Sequence, residues 1–165
     1  GQLAEQGVTF RLHLIGSYAS RPSAQQILVD AMSSYPALKD RVVEHGRVSD
    51  GELENLIASA AICFVLRRDH VAERCSFPTR LVEFLKAGRC VISSNVPDVP
   101  HYLTHGGHAI LLGQESLEGD ADVLKEFFND PIRTQKLAEA GRKQAEIVFC
   151  AKQHTARLIE RIASL

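Results

Sequence analysis

Short apolar runs of strand length recur along this chain, and each is set off from the next by a segment with helical spacing. The runs at 61–66 (AICFVL), 90–93 (CVIS) and 109–112 (AILL) show no polar alternation, so both faces of each strand have to be buried. Two further strand candidates, 9–15 (TFRLHLI) and 41–44 (RVVE), end close to Gly16 and Gly46. Between the strands, residues 22–35 carry apolar positions at Ile27, Leu28 and Ala31 and are closed by Pro36. Ser49 opens a second helix with Glu52 three residues on, the spacing of a capping box, and Leu53, Leu56 and Ile57 follow. Residues 79–87 (TRLVEFLKA) form a third helix stopped by Gly88, and from Leu117 the pattern is helical to the end, with breaks at Asp130-Pro131 and near Phe149. Strands alternating with helices predict an α/β fold: a Rossmann-like, doubly wound parallel sheet with closing C-terminal helices.

At 165 residues the chain reads as one domain, 1–165. A net charge of −1 gives no basic balance, so no nucleic-acid partner is expected. The apolar runs are far too short to span a bilayer, and residues 1–7 are polar without the cationic-then-apolar order of a signal peptide. The four cysteines at 63, 75, 90 and 150 include no CxxC pair, and Cys63 and Cys90 fall in apolar strand runs as buried thiols, which favours a reducing, cytoplasmic compartment. The sequence contains no GxGxxG, no P-loop and no GxSxG elbow. His101, His105 and His108 have spacings that zinc can use, but Gly106-Gly107 interrupts the helix that would carry them, and no metal is expected.

In an open α/β sheet, ligands bind beyond the carboxyl ends of the strands. That rule selects Gly16-Ser17, Gly46-Arg47-Val48, and residues 67–79 and 93–98. The loop after AICFVL is long and polar and runs straight into the helix beginning near Thr79. A helix N-terminus offers unpaired N–H groups and partial positive charge, which suit a phosphate. Ser76 and Thr79 add hydroxyls, and Arg80 adds a mobile cation. Glu83 lies one turn deeper on nearly the same face, where a carboxylate can accept both hydrogen bonds of a ribose diol. The plainer reading makes Glu83 a solvated helix residue, Ser76 and Thr79 N-cap groups, and Arg80 a surface charge. Arg67 and Arg68 follow the strand end on the same side.

The stretch from Ser76 through Pro78, Thr79, Arg80, Glu83, Ala87 and Gly88 to Ser93 closely resembles the donor-site signature of group 1, retaining GT-B glycosyltransferases. The resemblance extends upstream through Gly46-Arg47-Val48-Ser49-Asp50-Gly51-Glu52-Leu53, and downstream through residues 102–112 and 129–149, including Ala140-Gly141-Arg142. It implies the C-terminal, donor-binding domain of such an enzyme. Glu83 would hold the donor ribose, the backbone around Ser76, Phe77 and Thr79, with Arg80, the diphosphate, and the backbone at Arg47 and Val48 the nucleobase. Gly16 belongs to the same group by its place after the first strand. The substrate implied is a nucleoside-diphosphate sugar of UDP, GDP or ADP type carrying a hexose, with no cofactor. The family's first glutamate, which meets the transferred sugar, falls at Cys75, with Glu73 nearby but out of register.

Three further expectations follow from the resemblance. The acceptor-binding N-terminal domain lies outside this chain, so the isolated domain should not turn over, and the whole protein should be cytoplasmic and peripheral to the inner face of a membrane through that domain. A family strand before Gly7 has no counterpart, so residues 9–15 should pair directly with 61–66 or recruit another chain's edge by self-association. The alternatives are a non-catalytic GT-B-like binding or scaffold domain, motivated by Cys75, and a nucleotide-sugar epimerase of the same plan.

Overall fold

In a computed structural model, the structure describes residues 1–16, 22–67, 76–113 and 120–164. The chain divides into two compact units, Gly1–Leu56 with Glu118–Pro131, and Ile57–Leu117 with Ile132–Leu165.

The first unit holds α1 (Gln2–Glu5), β1 (Leu12–Ile15), α2 (Pro22–Ser34), a 3-10 turn (Pro36–Leu38), β2 (Val42–Gly46) and the start of α3 (Asp50–Ser59); after α4 (Thr79–Lys86) of the second unit, α5 (Asp120–Asn129) belongs to it again. β1 and β2 are parallel, as a strand–helix–strand crossover requires. Leu12, His13 and Leu14 face Val42, Val43 and Glu44, but Ile15 faces Gly46, so His45 is an extra residue that bulges from the ladder. Both strands end on glycines with left-handed backbones, φ 127° at Gly16 and 62° at Gly46, where a side chain would be strained. The Gly16 N–H closes the pair by donating to the Gly46 carbonyl at 2.7 Å. The capping box forms as read: the Ser49 N–H and hydroxyl reach Glu52 Oε2 at 2.9 and 2.7 Å, and the Glu52 N–H returns to Ser49 Oγ at 3.3 Å. Phe10 packs on Phe128 at 5.8 Å between centroids, with the Arg41 guanidinium over the Phe10 ring.

The second unit carries the parallel sheet β3 (Ile62–Val65), β4 (Cys90–Ser94) and β5 (Ile110–Leu112), with β4 central. All residues of β4 and β5 are buried, as their unbroken apolar runs require. α4 (Thr79–Lys86) lays Leu81 and Leu85, one turn apart, into the core with Val91, Val99 and Leu103. A 3-10 turn (Val99–His101) leads to β5, and α6 (Pro131–Val148) and α7 (Ala151–Ala163) close the chain. α6 crosses so near that a Cβ on Gly141 would lie 2.4 Å from the His108 carbonyl oxygen and 2.7 Å from Leu85 Cδ2. At the amino ends of the strands, Arg89 Nη1 donates to the Ala58 and Ala60 carbonyls at the tail of α3 (2.8 and 3.1 Å), a cation meeting the negative end of a helix.

The α/β class, the parallel pairing and the C-terminal helices are as the sequence predicts. Two details differ. The first strand is Leu12–Ile15 rather than 9–15, because its partner begins only at Val42 and Leu12 opens the ladder by donating to the Arg41 carbonyl at 2.7 Å. The expected direct pairing of 9–15 with 61–66 does not occur: among the described residues β1 has its ladder with β2, and β3 has its ladder with β4. Each crossover fixes one neighbour for its own strand within its own sheet.

Candidate functional site

The site selected from the sequence lies where β3 and β4 end and α4 begins. Ser93 and Ser94 close β4 with buried hydroxyls. Ser93 Oγ donates to the Val65 carbonyl at 3.3 Å. Ser94 Oγ accepts the Arg67 N–H at 2.9 Å and donates to the Arg67 carbonyl at 3.2 Å. The Arg67 guanidinium then reaches across to Ser76, where Nη1 meets Oγ at 2.6 Å and the carbonyl at 3.2 Å.

Three successive residues lead into α4, each anchored differently. Ser76 is held by Arg67. Phe77 packs edge-on to Tyr102 (centroids 5.6 Å) and tilted on Phe149 (5.5 Å), while Tyr102 and Phe149 lie 5.3 Å apart. Pro78 is fully buried and stands at the N-cap position, without a side-chain hydrogen bond to the helix. Neither Ser76 nor Thr79 stands at the N-cap of α4, contrary to the plainer expectation: that position is held by Pro78, whose side chain has no donor or acceptor, the Ser76 hydroxyl accepts from Arg67, and Thr79 is the first helical residue. The helix begins without a side-chain cap.

One turn in, Arg80 and Glu83 meet at 2.5 Å, with side chains 56% and 51% exposed. The expected spacing thus brings a cation and a carboxylate to the solvent face of the first two turns, bound to each other. Cys75, Arg68, Glu73 and Ser17 lie outside the described residues. In the first unit, Gly16 and Gly46 end their strands, Arg47 follows exposed, and Val48 is half-buried before the capping box.

Sequence reasoning missed two groupings. One is the Arg67–Ser94–Ser76 bridge. The other is a pair of imidazoles, with His13 Nδ1 2.8 Å from His45 Nε2. The ring centroids are 5.1 Å apart with planes 17° from parallel. That centroid separation matches two rings lying edge to edge in one N–H···N bond rather than stacked face to face. Only the β1–β2 register and the bulge at His45 reveal it. Two further histidines hold a turn: His105 Nδ1 accepts the Leu111 N–H and His108 Nδ1 the Thr104 N–H, each at 3.1 Å, around Gly106-Gly107. Among the described residues, no three His, Cys, Asp or Glu side chains converge as metal ligands. No helix there is long and apolar enough to cross a membrane. Burial pushes the Cys63 and Cys90 thiols up to about 11, well above the range of a reactive nucleophile. The chemistry on offer at α4 is anion binding at a helix start, with one cation and one carboxylate beside it.

The family model described as glycosyl transferases group 1 matches residues 2–144. None of the curated proteins matches the chain by sequence. Among solved structures, HepE from Anabaena in complex with UDP and glucose superposes with a TM-score of 0.74 at 17% identity, over 99% of this chain and 44% of that one. A glycosyltransferase from Rickettsia africae gives a TM-score of 0.78 at 16% identity, over 96% and 41%. The C-terminal domain of the group 1 family protein LpcC from Francisella tularensis gives 0.61 at 12% identity, and is covered almost end to end, 90% against 91%. This chain therefore has the fold of a GT-B C-terminal domain and spans less than half the length of HepE. With 2–144 of its 165 residues matched, the chain belongs to the glycosyl transferases group 1 family.

Proposed function

We propose that residues 1–165 are the donor-binding domain of a GT-B glycosyltransferase that moves a hexose from a nucleoside-diphosphate sugar to an acceptor. The observation that carries the reading is the start of α4: a helix without a side-chain cap, reached through three anchored residues, with Arg80 in its first turn and Glu83 beside it. A cation in a first turn opposes the helix dipole, at a cost of about 0.3–1 kcal/mol that a bound anion removes. In this reading the first N–H groups of α4 and the Arg80 guanidinium take the diphosphate, and the Glu83 carboxylate accepts from the ribose hydroxyls. The main chain at Arg47 and Val48, with Gly16, is assigned to the nucleobase, and position 75 to the transferred sugar. The domain then works by holding the diphosphate leaving group and stabilising the charge that grows on it as the glycosidic bond breaks. No cofactor enters this scheme.

That HepE was solved with UDP and with UDP-glucose supports a nucleotide-sugar donor, and UDP is the first base to test, followed by GDP and ADP. The acceptor site, and a peripheral position at the inner face of a membrane, are assigned to the rest of a longer cytoplasmic protein. Cys75, in the place of the family's first glutamate, favours one second reading: a domain that keeps the nucleotide and has lost transfer, serving as a scaffold. A thermal-shift panel of UDP, GDP, ADP and their sugars tests the main proposal, because a ligand at 100 times its Kd adds about 2.7 kcal/mol to the native state. A panel in which no nucleotide raises the melting temperature refutes donor binding. Binding of the bare nucleotide with no added effect of the sugar favours the scaffold.

A further inference from the structure

Arg67 and Ser76 are nine residues apart in sequence and bracket the loop 68–75, yet one guanidinium nitrogen touches both oxygens of Ser76. The other end of the bridge is equally specific. Ser94, 8% exposed, places its single hydroxyl against both the N–H and the C=O of Arg67. It thereby continues the β3–β4 ladder beyond the Val65–Ser93 pair, with a side chain acting as the next strand residue. The result is a chain of contacts from the last residue of the central strand, through the main chain and side chain of Arg67, to the residue two before the N-cap of α4. Phe77 and Pro78 fix the same segment from the core side, through the aromatic trio and through burial. Arg67 is what ties it to the sheet, and so sets the spacing between the carboxyl edge of β4 and the first N–H groups of the helix.

We infer that Arg67, seated on Ser94, is a positioning residue that holds the start of α4 in the geometry that receives the donor's phosphates. The inference rests on the donor-binding reading above. Arg67 acts through Ser76 and the helix start, not by touching the phosphate.

The test uses the 165-residue chain, with UDP, GDP and ADP titrated by calorimetry and amide hydrogen exchange followed without ligand. Arg67→Ala is expected to speed exchange at the amides of residues 81–84. It should also weaken the tightest diphosphate about tenfold, the value of one hydrogen bond to a charged group. Arg67→Lys, which can still donate to both Ser76 oxygens, should fall between the two. Ser94→Ala leaves every cation in place and loosens only the seat of Arg67, so weaker binding in this variant marks positioning rather than charge attraction. Full affinity in Ser94→Ala beside a weakened Arg67→Ala would make Arg67 a direct phosphate contact and overturn the inference. Unchanged exchange at residues 81–84 in Arg67→Ala would overturn it as well. Should Arg67→Ala fail to fold, Ser76→Ala, at an exposed position, must still speed exchange in the same stretch. If the unmodified chain binds none of the three nucleotides, the donor-site reading falls, and exchange alone decides whether the bridge holds the helix start.

Discussion

Replacing Glu83 by alanine separates the functional reading of α4 from the structural one, because the two predict opposite ratios of binding loss to stability loss. Among the described residues the carboxylate is paired with Arg80, and both side chains are about half exposed. An exposed ion pair three residues apart on a helix is worth about 0.2–0.5 kcal/mol, and salt screens it further. For a domain of this length 1 kcal/mol moves Tm by about 2–4 °C, so Glu83→Ala should shift Tm by less than about 2 °C. If Glu83 accepts hydrogen bonds from a ribose diol, its loss costs the nucleotide about 1.5–3 kcal/mol. That range corresponds to roughly a 10- to 150-fold rise in Kd. The substitution also releases Arg80 toward the phosphates, which recovers at most the few tenths of a kcal/mol that the pair held. Calorimetric titration of the tightest nucleoside diphosphate against both proteins, with melting curves alongside, gives the ratio. Equal affinities would refute the ribose assignment and return Glu83 to an ordinary solvated helix residue. A Tm loss as large as the binding loss would make it structural.

Gly141→Ala should lower Tm, by up to about 8 °C. The new Cβ meets the His108 carbonyl oxygen at 2.4 Å, and overpacking of about 1–3 kcal/mol outweighs the propensity gain of about 1 kcal/mol; a raised Tm would show that α6 is free to move away. Cys75→Glu, restoring the family residue, should change the affinity for a sugar nucleotide while leaving the bare nucleotide untouched; identical responses in calorimetry would move position 75 away from the sugar. Stability should be intact below pH 9 and fall as pH rises from 9 toward about 11, because unfolded thiols ionise while buried Cys63 and Cys90 stay neutral. The loss should vanish in Cys63→Ala/Cys90→Ala, as judged by urea midpoints at pH 8 and 10.5. Sedimentation over a hundredfold concentration range should show self-association through the second edge of β1 or β3, whereas a constant molar mass would mean that neither edge recruits another chain.

What could be read from the sequence and what could not divide along a physical line. Interactions set by short chain separation were legible. The Ser49–Glu52 capping box depends on a three-residue spacing, and the burial of β4 and β5 on unbroken apolar runs. Thr79, Arg80 and Glu83 share a face because a helix repeats every 3.6 residues. Contacts joining distant segments were not legible. Arg67 finds Ser94 across 27 residues, Phe77 meets Phe149 across more than that, and His13 reaches His45 across the β1–β2 ladder. The failed pairing of 9–15 with 61–66 belongs to the same class, since a strand run encodes its burial and not its neighbour. Ser76 shows where the line falls inside the site itself. Its type and position promised a cap, which needs the hydroxyl oxygen to accept a helix N–H, or a phosphate donor, which needs the hydroxyl proton. The Arg67 guanidinium donates to that oxygen instead, from a residue nine positions back, and helical spacing encodes no such contact.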